Sequence, residues 1–395
     1  MIKFYNTLHR KNEVFKPLKE GEVTLYTCGP TVYDYAHIGN FRAYLFEDLL
    51  RRFLEFSGFK VTHVMNITDI DDKTIRRSIE EGKSLNAFTD VYIQAFFEDL
   101  DTLNIQRAHH YPRATEFVSQ MIEMVNTLIE KGHAYKTEDG SVFFKISTFK
   151  DYGKLTNLKL EDLRTGSRVE NDEYDKEEVR DFALWKGKKK GEGDVHWESP
   201  FGLGRPGWHI ECSVMSTHYL GNHFDIHCGG VDNIFPHHEN EIAQSCAATG
   251  EEFVNYWLHN EHLIVEGQKM SKSMNNFFTL RDLLDKKLTP EAIRYTLMST
   301  HYRQKLNFTF ADVSDSQKCI NRLLELKRRL GLVESGDGDD LKESCEIVLQ
   351  DFQKKLNDDL NISGALGVLF TWVNKIFSLL DKNTVSTSGA STALA

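Results

Sequence analysis

Two histidines and two glutamates stand within one short segment, FPHHENEIAQS at residues 235–245, and these residue types can bind a metal ion or transfer a proton. His237 and Glu241 are four residues apart, so on a helix they project from one face. His238 is then expected to point about 100° away from that face, and Glu239 further still. His237 and Glu241 are therefore a candidate metal-binding pair, although a plain contact between neighbouring turns of a surface helix fits the same spacing.

Two further segments carry residues that suit phosphate groups. HIGN at residues 37–40 follows a Gly-Pro turn at the predicted start of a helix, where free backbone N–H groups and the helix dipole attract anions. His37 can add a donor, and Gly39 lets a nucleotide approach the backbone closely. KMSKS at residues 269–273 places two lysines on a loop, where they can neutralise charge on a departing pyrophosphate. Taken alone, the two segments are also explained by a half-exposed histidine and a solvated lysine loop.

Strands and helices must position these residues. The first part of the chain is predicted to alternate strand and helix. Runs of β-branched and aromatic residues at 23–27 and 61–67 predict two strands, and apolar residues at helical spacing from about His37 predict a helix between them. Two strands joined by such a helix form a right-handed crossover in a parallel sheet. Ligands of parallel sheets bind at the carboxyl ends of the strands, where we expect Cys28 and the loop 66–72.

The alternation is interrupted and then resumes. From residue 115 to about 200 the sequence indicates a helix, a hairpin at 138–147 and a charged run, which we interpret as an insertion. A strand at 223–230 returns to the sheet, and three amphipathic helices follow residue 312. The small polar residues 383–395 are expected to be unstructured. The predicted order is a first half of the α/β domain, an insertion, the second half, a region with the KMSKS loop and a helical domain, at residues 1–115, 116–199, 200–258, 259–312 and 313–395.

The composition is that of an ordinary globular chain. Its 395 residues are 40% hydrophobic, which is enough for two or three domains. The N-terminus lacks the apolar stretch of a secretion signal, and no run of about 18 apolar residues occurs, which predicts a cytoplasmic protein without a membrane segment. The six cysteines are scattered, which favours reduced thiols or metal ligands over disulfides. The net charge of -11 excludes a wholly basic surface, so nucleic acid would contact only local basic faces.

The HIGN and KMSKS segments become specific when they are taken together. In an α/β frame that is interrupted by an insertion and followed by helices, this pair resembles the class I aminoacyl-tRNA synthetases. Longer blocks resemble the cysteinyl-tRNA synthetase family, namely TCGPTVYDYAHIGN, NITDIDDK, DFALWK, RPGWHIECS, GGVDNIFPHHENEIAQS, KMSKSMNNF and LNDDLNISGAL. The resemblance covers nearly the whole chain. It implies an α/β fold with a Rossmann-like, doubly wound parallel sheet that is split by an insertion and followed by an α-helical domain.

The resemblance also implies a metal site. In this family four positions bind one Zn²⁺ ion, and the matching residues are Cys28, Cys212, His237 and Glu241. Zinc bonds the thiolate of a substrate cysteine directly, whereas a serine hydroxyl stays protonated and binds weakly. Such selection exceeds what a steric pocket achieves between near-isosteres. Glu241, the hardest of the four ligands, is expected to loosen when the substrate sulfur enters, and Cys228 and Cys246 do not match ligand positions.

The reaction that the resemblance implies has two steps. The carboxylate of L-cysteine attacks the α-phosphorus of ATP, which carries Mg²⁺, and a terminal ribose hydroxyl of tRNA(Cys) then takes the cysteinyl group. No protein nucleophile is required, because positioning and charge stabilisation carry such reactions. His37 and Asn40 are expected to contact the phosphates, and Lys269 and Lys272 to clamp them. The remaining implied site residues are Gly39, Gly229, Gly230 and Asp232 with Lys272 for ATP, and Cys28, Gly29, Thr31, Thr68 and Trp208 for cysteine.

Two departures and two basic runs complete this interpretation. The family usually has a second histidine where this chain has Asn40, so a protonated imidazole is not expected to act there. The family usually continues into a small module that reads the anticodon, so we expect that module to be absent or the sequence to be truncated. The basic runs at 186–190 and 325–330 are candidate tRNA contacts, and we favour the second. The family is mostly monomeric, which implies a monomer.

Two other functions stay open at this point. A related ligase uses the same zinc and phosphate machinery but transfers cysteine to a small amine, as in the mycothiol pathway. Cysteine-dependent exchange of ATP and pyrophosphate without transfer to tRNA would indicate that enzyme. A non-catalytic zinc-binding or tRNA-binding paralogue would show no exchange, and the intact His37, Lys269 and Lys272 argue against it.

Overall fold

The computed structural model describes residues 1–157, 181–189, 193–334 and 338–395. The strands are β1 (Lys3–Asn6), β2 (Lys11–Val14), β3 (Glu22–Thr27), β4 (Lys60–Met65), β5 (Ala134–Lys136), β6 (Val142–Phe144), β7 (Phe182–Gly187), β8 (Gly204–Pro206), β9 (Phe224–Gly230), β10 (Val254–Asn260), β11 (Leu263–Val265), β12 (Gln268–Lys269) and β13 (Leu306–Phe308). The α-helices are α1 (Ile38–Phe56), α2 (Asp72–Glu80), α3 (Leu85–Thr102), α4 (Val118–Glu130), α5 (Trp208–Leu220), α6 (Glu239–Thr249), α7 (Leu280–Asp285), α8 (Pro290–Met298), α9 (Phe310–Leu330), α10 (Lys342–Leu356), α11 (Ile362–Asp381) and α12 (Thr387–Leu394).

A parallel sheet of four strands, in the order β10, β9, β3, β4, forms the centre of the catalytic part. Its register pairs Thr27 with Met65 on one side and with Cys228 on the other, so the strands end at a common edge. The predicted connection of two parallel strands by a helix is confirmed, because α1 lies between the parallel strands β3 and β4. The predicted split of the sheet is confirmed as well, since β3 and β4 precede the insertion and β9 and β10 follow it.

Helices cover both faces of this sheet, because consecutive residues of a strand point to opposite sides. In β3, Leu25 packs in a cluster with Phe46 and Leu50 of α1. The neighbouring Tyr26 packs in another cluster with Cys212 of α5. A strand that is buried on both faces needs apolar residues at nearly every position, which is the pattern that predicted it. The predicted α/β fold is therefore confirmed.

The segment between the two halves of the sheet contains a second, antiparallel sheet in the order β5, β6, β7, β8. β5 and β6 form a hairpin at residues 134–144, which begins before the predicted range of 138–147, and Tyr135 lies opposite Phe143. β8 lies beyond residue 199 but pairs with β7, with Pro206 opposite Trp185. The antiparallel sheet thus crosses the boundary inferred at residue 199, and the domain limits stay a proposal.

Two polar residues of α6 form hydrogen bonds with this insertion. Glu239 is fully buried, and its carboxylate accepts hydrogen bonds from the N–H groups of Gly153 and Thr156 at 2.8 and 3.0 Å. The next residue, Asn240, accepts a hydrogen bond from the Tyr152 hydroxyl at 2.5 Å. Glu239 therefore connects the insertion to α6, and its carboxylate is occupied by that structural role.

The helices α9 to α12 form a helical part with its own apolar core. Its buried side chains include those of Leu326, Leu330, Val373, Ile376 and Ala390. The expectation that residues 383–395 are unstructured is wrong, because α12 spans Thr387–Leu394. Ser386 caps this helix by accepting a hydrogen bond from the Gly389 N–H at 3.0 Å. A Cβ atom at Gly389 would lie 2.3 Å from the Asp339 carbonyl oxygen, so the small residues that looked featureless permit close packing.

One helix, α11, is long and apolar enough to cross a membrane by length and composition alone. A single helix of this kind is weak evidence for a membrane span. The buried side of α11 carries Val373, Ile376 and Leu380, which pack into the core of the helical part. The absence of a membrane segment stays an expectation from the sequence.

Asp359 connects strand β1 to the helical part, and we expect its removal to destabilise the fold. Its buried carboxylate accepts hydrogen bonds from the Tyr5 N–H at 2.8 Å and the Tyr302 hydroxyl at 2.5 Å, and it pairs with Arg303 at 2.7 Å. Asp359→Ala should lower the free energy of unfolding by about 3 kcal/mol, because these donors lose their partner. Urea denaturation measures the change. The exposed Asp358→Ala is the control, and an equal loss in both variants would contradict this role.

Candidate functional site

Four potential metal ligands meet at the carboxyl edge of the parallel sheet. Cys28 follows β3, and Cys212 lies in α5, which packs against the same strand. His237 lies in the turn before α6, and Glu241 lies in the first turn of that helix. One ligand atom from each residue lies within 4.8 Å of each of the others. The structure thus brings together the four residues at which the resemblance implies zinc.

The helix that carries two of these ligands begins irregularly. Residues Ile234–His238 form a wide, π-helical turn, in which Phe235 has an extended backbone, and the α-helix begins only at Glu239. The contact expected from the spacing is nevertheless present, since His237 Nε2 lies 3.0 Å from Glu241 Oε1. The wide turn changes the direction of the side chains around it, because the rotation of 100° per residue applies only to a regular α-helix.

His238 contradicts the expectation that its side chain points away from the face that carries His237 and Glu241. We expected its side chain to point about 100° away from His237. Instead, its Nε2 atom lies 3.4 Å from the Cys28 sulfur and 4.0 Å from Glu241 Oε1. With His227, these residues form a second group of four ligand atoms within 4.8 Å of one another. Because the two groups share Cys28 and Glu241, they describe neighbouring positions in one site.

Hydrogen bonds and burial shift the pKa values of the side chains in this cluster in different directions. A hydrogen bond with Cys28 lowers the pKa of the Cys212 thiol well below its ordinary value, and the nearby His237 adds to the effect. The same hydrogen bond, together with burial, raises the pKa of Cys28. Burial also raises the pKa of the Glu241 carboxyl well above its ordinary value. Burial opposes protonation of His237, but the charges of Glu241 and Cys212 raise its pKa. The arrangement favours a thiolate at Cys212.

The donor set fits a zinc ion. Two sulfur atoms, an imidazole nitrogen and a carboxylate oxygen are all ligands of tetrahedral zinc sites. Glu241 Oε1 is buried and has no hydrogen-bond partner among the described residues, although His237 Nε2 is near. A buried carboxylate oxygen in this state costs free energy unless a cation binds it. Cys228 packs on the α1 side of the sheet and Cys246 lies further along α6, and neither belongs to a ligand group in the part of the chain that the structure describes.

Buried histidines surround this cluster, and the sequence patterns do not single out three of them: His209, His227 and His259. His209 Nδ1 lies 2.9 Å from His237 Nδ1, and His227 Nε2 lies 3.0 Å from Glu241 Oε2. His259 Nε2 lies 2.7 Å from His238 Nδ1. The side chains of His237, Glu241 and His238 thus each contact one further imidazole ring, that of His209, His227 and His259 respectively. Outer partners of this kind fix the orientation of metal ligands.

Burial keeps the surrounding histidines uncharged. It lowers the pKa of His227 and of His259 to about 3. It also lowers the pKa of His209 and of His238 well below the ordinary value. A neutral imidazole has one donor and one acceptor nitrogen, so the rings can be linked without net charge. A signal was available in the sequence, because a histidine inside an apolar strand such as FDIHCGG needs a buried hydrogen-bond partner.

The side chains implied to contact cysteine lie beside the cluster. The Trp208 indole stacks on the His237 ring with centroids 4.5 Å apart. Thr68 is buried, and its hydroxyl donates a hydrogen bond to Glu211 at 2.8 Å. The backbone of Thr31 pairs with that of Thr68, which joins the loop after β3 to the loop after β4. Glu211 is a further buried acid of the site, and burial raises its pKa well above the ordinary value.

Gly29 brings the chain after β3 against the neighbouring loop. Its N–H group donates a hydrogen bond to Asn66 Oδ1 at 2.9 Å. A Cβ atom at Gly29 would lie 1.7 Å from the Asn66 carbonyl oxygen. Any side chain here would therefore displace the preceding Cys28 from the cluster.

His37 and Asn40 form the first turn of α1. His37 Nδ1 accepts a hydrogen bond from the Asn40 N–H at 3.2 Å, and Asn40 Oδ1 accepts one from the His37 N–H at 3.1 Å. Because Nδ1 accepts, the neutral ring carries its proton on Nε2. Burial lowers the pKa of His37 to about 4. Gly39 lies against this ring, since a Cβ atom there would be 2.9 Å from it.

The KMSKS loop lies beside the start of α1, although the two motifs are far apart in sequence. The Phe277 ring, just beyond the loop, lies 5.1 Å from the His37 ring. Lys269 is exposed at the end of β12. Lys272 is also exposed, and its ammonium lies 2.8 Å from the Asp34 carboxylate. The structure thus places both phosphate-binding candidates at one end of the sheet.

The residues implied to lie near adenosine follow the end of β9. Gly229 leaves no room for a side chain, because a Cβ atom would lie 2.7 Å from the His238 ring. At Gly230 a Cβ atom would lie 2.3 Å from Asp232 Oδ1. Asp232 is exposed, and its charge acts on His37, where it partly offsets the effect of burial on the pKa. Asp232 therefore lies near the HIGN turn.

Acidic neighbours partly neutralise the two basic runs. In the first run, Lys186 pairs with Asp72 at 2.9 Å, and Lys190 lies outside the described residues. In the second run, Arg328 and Arg329 each form an ion pair with an acidic residue at 2.7 Å. Both runs thus attract RNA less than their sequences indicate, because part of their charge is already balanced.

Comparison with known proteins adds relatives over nearly the whole chain. Residues 14–318 match the family model described as the class I (C) tRNA synthetase catalytic domain. The cysteine-tRNA ligase of Brachyspira hyodysenteriae is 56% identical over 395 residues, which cover 98% of this chain and 83% of the relative. The cysteine-tRNA ligase of Protochlamydia amoebophila is 52% identical over 400 residues, which cover 100% of this chain and 83% of the relative.

Solved structures with the same fold are more distant in sequence. The methionyl-tRNA synthetase of Mycobacterium tuberculosis in complex with methionyl-adenylate has a TM-score of 0.70 at 15% identity, over 94% of this chain and 88% of that one. The LeuRS of Agrobacterium radiobacter K84 in a ternary complex has a TM-score of 0.67 at 11% identity, over 96% of this chain and 83% of that one. At such identities the likeness shows the fold alone.

Proposed function

Because the chain belongs to the class I cysteine-tRNA ligases, we propose that Cys28, Cys212, His237 and Glu241 would hold one zinc ion beside the pocket for the substrate cysteine. The activity is that of an aminoacyl-tRNA ligase, which joins L-cysteine to tRNA(Cys) with consumption of ATP. The convergence of ligand atoms from Cys28, Cys212, His237 and Glu241 within 4.8 Å carries the zinc proposal. When bound, zinc prefers a thiolate to a hydroxyl and so supplies selection of cysteine against serine.

The residues around the cluster orient its ligands. His227 occupies Oε2 of Glu241, which leaves Oε1 as the oxygen for a cation. His209 holds one nitrogen of His237, and the other nitrogen faces Glu241. Trp208 covers the His237 ring and forms a wall of the amino-acid pocket. Gly29, Thr31 and Thr68 are proposed to complete this pocket on the side of the loops after β3 and β4.

Activation of cysteine requires that its carboxylate and the α-phosphorus of ATP be held together while pyrophosphate departs. We assign to His37 a hydrogen bond from Nε2–H to a phosphate oxygen, which the neutral ring can donate. The Asn40 amide nitrogen adds donors without a titratable proton. Lys269 and Lys272 supply positive charge to the phosphates from the KMSKS loop. ATP brings Mg²⁺ with it as part of the substrate.

Transfer to tRNA follows when a terminal ribose hydroxyl takes the cysteinyl group from the adenylate. We assign Gly39, Gly229, Gly230 and Asp232 to the adenosine side, because close backbone approach and an exposed carboxylate suit a base and a ribose. The helical part, residues 313–395, is the proposed contact with tRNA. We propose that the protein acts as a cytoplasmic monomer.

The test is amino-acid-dependent exchange of ATP and pyrophosphate, followed by charging of a tRNA(Cys) transcript. We expect exchange with L-cysteine, exchange slower by at least about a hundredfold with L-serine, and formation of cysteinyl-tRNA. Exchange without transfer to tRNA would favour the ligase that uses a small amine. Absence of exchange would favour a non-catalytic paralogue. Relatives at 52% and 56% identity that are cysteine-tRNA ligases favour neither alternative.

A further inference from the structure

Asp34 lies three residues before His37 and faces two cations from different parts of the chain. Its Oδ2 atom lies 2.8 Å from the Lys272 ammonium and 3.1 Å from the Arg77 guanidinium. Its Oδ1 atom accepts a hydrogen bond from the Tyr35 N–H at 2.9 Å. The carboxylate is therefore fixed by its own turn and by α2 independently of the KMSKS loop.

The Arg77 side chain is held as firmly as the carboxylate. It donates a hydrogen bond to the Tyr33 carbonyl at 2.6 Å. Its guanidinium also lies 5.9 Å from the ring centres of Phe88 and Tyr92. Lys272 is the more exposed cation of the group, because its side chain is 66% exposed and that of Arg77 is 30% exposed. The Lys272 ammonium also lies 5.1 Å from the centre of the Phe277 ring.

The contact with the Phe277 ring places the Lys272 ammonium near the HIGN turn. Phe277 also packs against the His37 ring. The charge of Lys272 reaches that ring, where it adds to burial in lowering the His37 pKa. Burial opposes ionisation of Asp34, but the hydrogen bond and charge of Lys272 keep its pKa below the ordinary value. Of the two motif lysines, Lys272 is the one that forms an ion pair with another described residue.

We propose that Asp34 is a positioning residue that holds Lys272 at the mouth of the nucleotide site before ATP binds, and that the triphosphate then displaces it. The proposal rests on the proposed role of Lys272 in binding phosphate. A pair that is this exposed is weak, so a triphosphate with several negative charges can replace a single carboxylate. Until then the lysine stays close to where the pyrophosphate will form. Asp34 thus competes with ATP for the Lys272 ammonium, and in the absence of ATP it restrains the KMSKS loop.

Two expected effects follow for Asp34→Asn, which keeps the shape of the side chain and removes its charge. Equilibrium binding of ATP should tighten by about two- to fivefold, because the nucleotide no longer has to break an ion pair. Tryptic cleavage after Lys272 in the absence of ATP should become faster, because the loop loses its restraint. ATP should still protect the loop in the variant.

Control variants separate this role from a general effect of charge. In a Lys272→Met background, Asp34→Asn should leave ATP affinity unchanged, since no pair remains to be broken. Arg77→Gln removes the other partner of Asp34 and should not tighten ATP binding. Weaker or unchanged ATP binding in Asp34→Asn would overturn the proposal, as would equal tightening in the Lys272→Met background. Cysteine-dependent exchange by the wild type tests the proposed function separately, because binding and cleavage are measured without cysteine.

Discussion

Cys212→Ser is expected to lose its zinc and to activate cysteine at least about a hundredfold more slowly than the wild type. The loss of an outer partner of a metal site already costs up to about a hundredfold, and Cys212 is a proposed ligand itself. The sulfur of Cys212 is the one whose pKa is lowered, by the hydrogen bond with Cys28 and by His237. A serine hydroxyl at this position stays protonated, so the cluster loses its most available negative donor.

Zinc per chain, measured after dialysis, and cysteine-dependent exchange of ATP and pyrophosphate test this prediction together. Cys246→Ser is a matched control, because Cys246 is a half-buried cysteine on α6 outside both ligand groups. It should retain zinc and exchange. Circular dichroism checks that both variants fold. Full zinc content in Cys212→Ser would disprove the proposed ligand set, and loss of zinc in both variants would point to a change of fold.

Glu47→Gln is expected to stabilise the protein by about 3 kcal/mol at pH 7. Glu47 lies on α1 and is 1% exposed, and neither carboxyl oxygen makes a well-formed hydrogen bond with a described residue. Burial raises its pKa from 4.5 to about 8 and outweighs the Thr27 hydroxyl, which favours the charged form. The folded protein therefore holds a proton at pH 7 that the unfolded chain releases, at a cost of about 1.4 kcal/mol per pH unit above 4.5.

The sign of the pH dependence follows from the raised pKa. The stability that depends on protonated Glu47 is fully present below pH 4.5 and is lost as the pH rises through about 8. Thermal or urea denaturation between pH 4.5 and pH 9 should show the wild type losing stability relative to Glu47→Gln over this interval. A difference between the two proteins that does not change with pH would contradict the raised pKa.

Glu55→Gln on the same helix is the matched control. The Glu55 carboxylate is partly exposed and accepts a hydrogen bond from Arg51 at 2.8 Å. Burial opposes its ionisation, but the hydrogen bond and charge of Arg51 lower its pKa. Its replacement should therefore cost a little stability, at most about 1 kcal/mol at neutral pH, instead of adding any. A gain in both variants would indicate a general effect of negative charge on α1.

The fold and the four-ligand cluster were largely accessible from the sequence. The strands of the parallel sheet and helix α1 follow from local patterns, because burial on two faces demands apolar residues throughout a strand. The site depended on more than local patterns. The spacing of His237 and Glu241 indicated a pair, but Cys28 and Cys212 joined it only through the resemblance to a family. No spacing rule connects residues that lie on separate strands and helices.

The tertiary structure alone decided how this site is surrounded. His209, His227 and His259 come from different elements, and their role depends on contacts between rings that are far apart in sequence. His238 turned toward the cluster because the chain forms a wide turn where a regular helix was expected. Within the segment 383–395, residues 387–394 form a helix, in which Gly389 lies closely against the distant loop at Asp339.

The sequence by itself determined the first strands of the parallel sheet, helix α1 and the chemical types at the site, because propensity and hydrophobic period are properties of neighbouring residues. The structure decided which polar groups meet and which are buried, as with the ion pair of Asp34 and Lys272 and the buried carboxyl of Glu47. Burial sets the pKa of a side chain and decides whether its hydrogen bonds are satisfied, and it depends on packing between distant segments. For that reason, hydrogen-bond partners and pKa shifts could be assigned only from the tertiary structure.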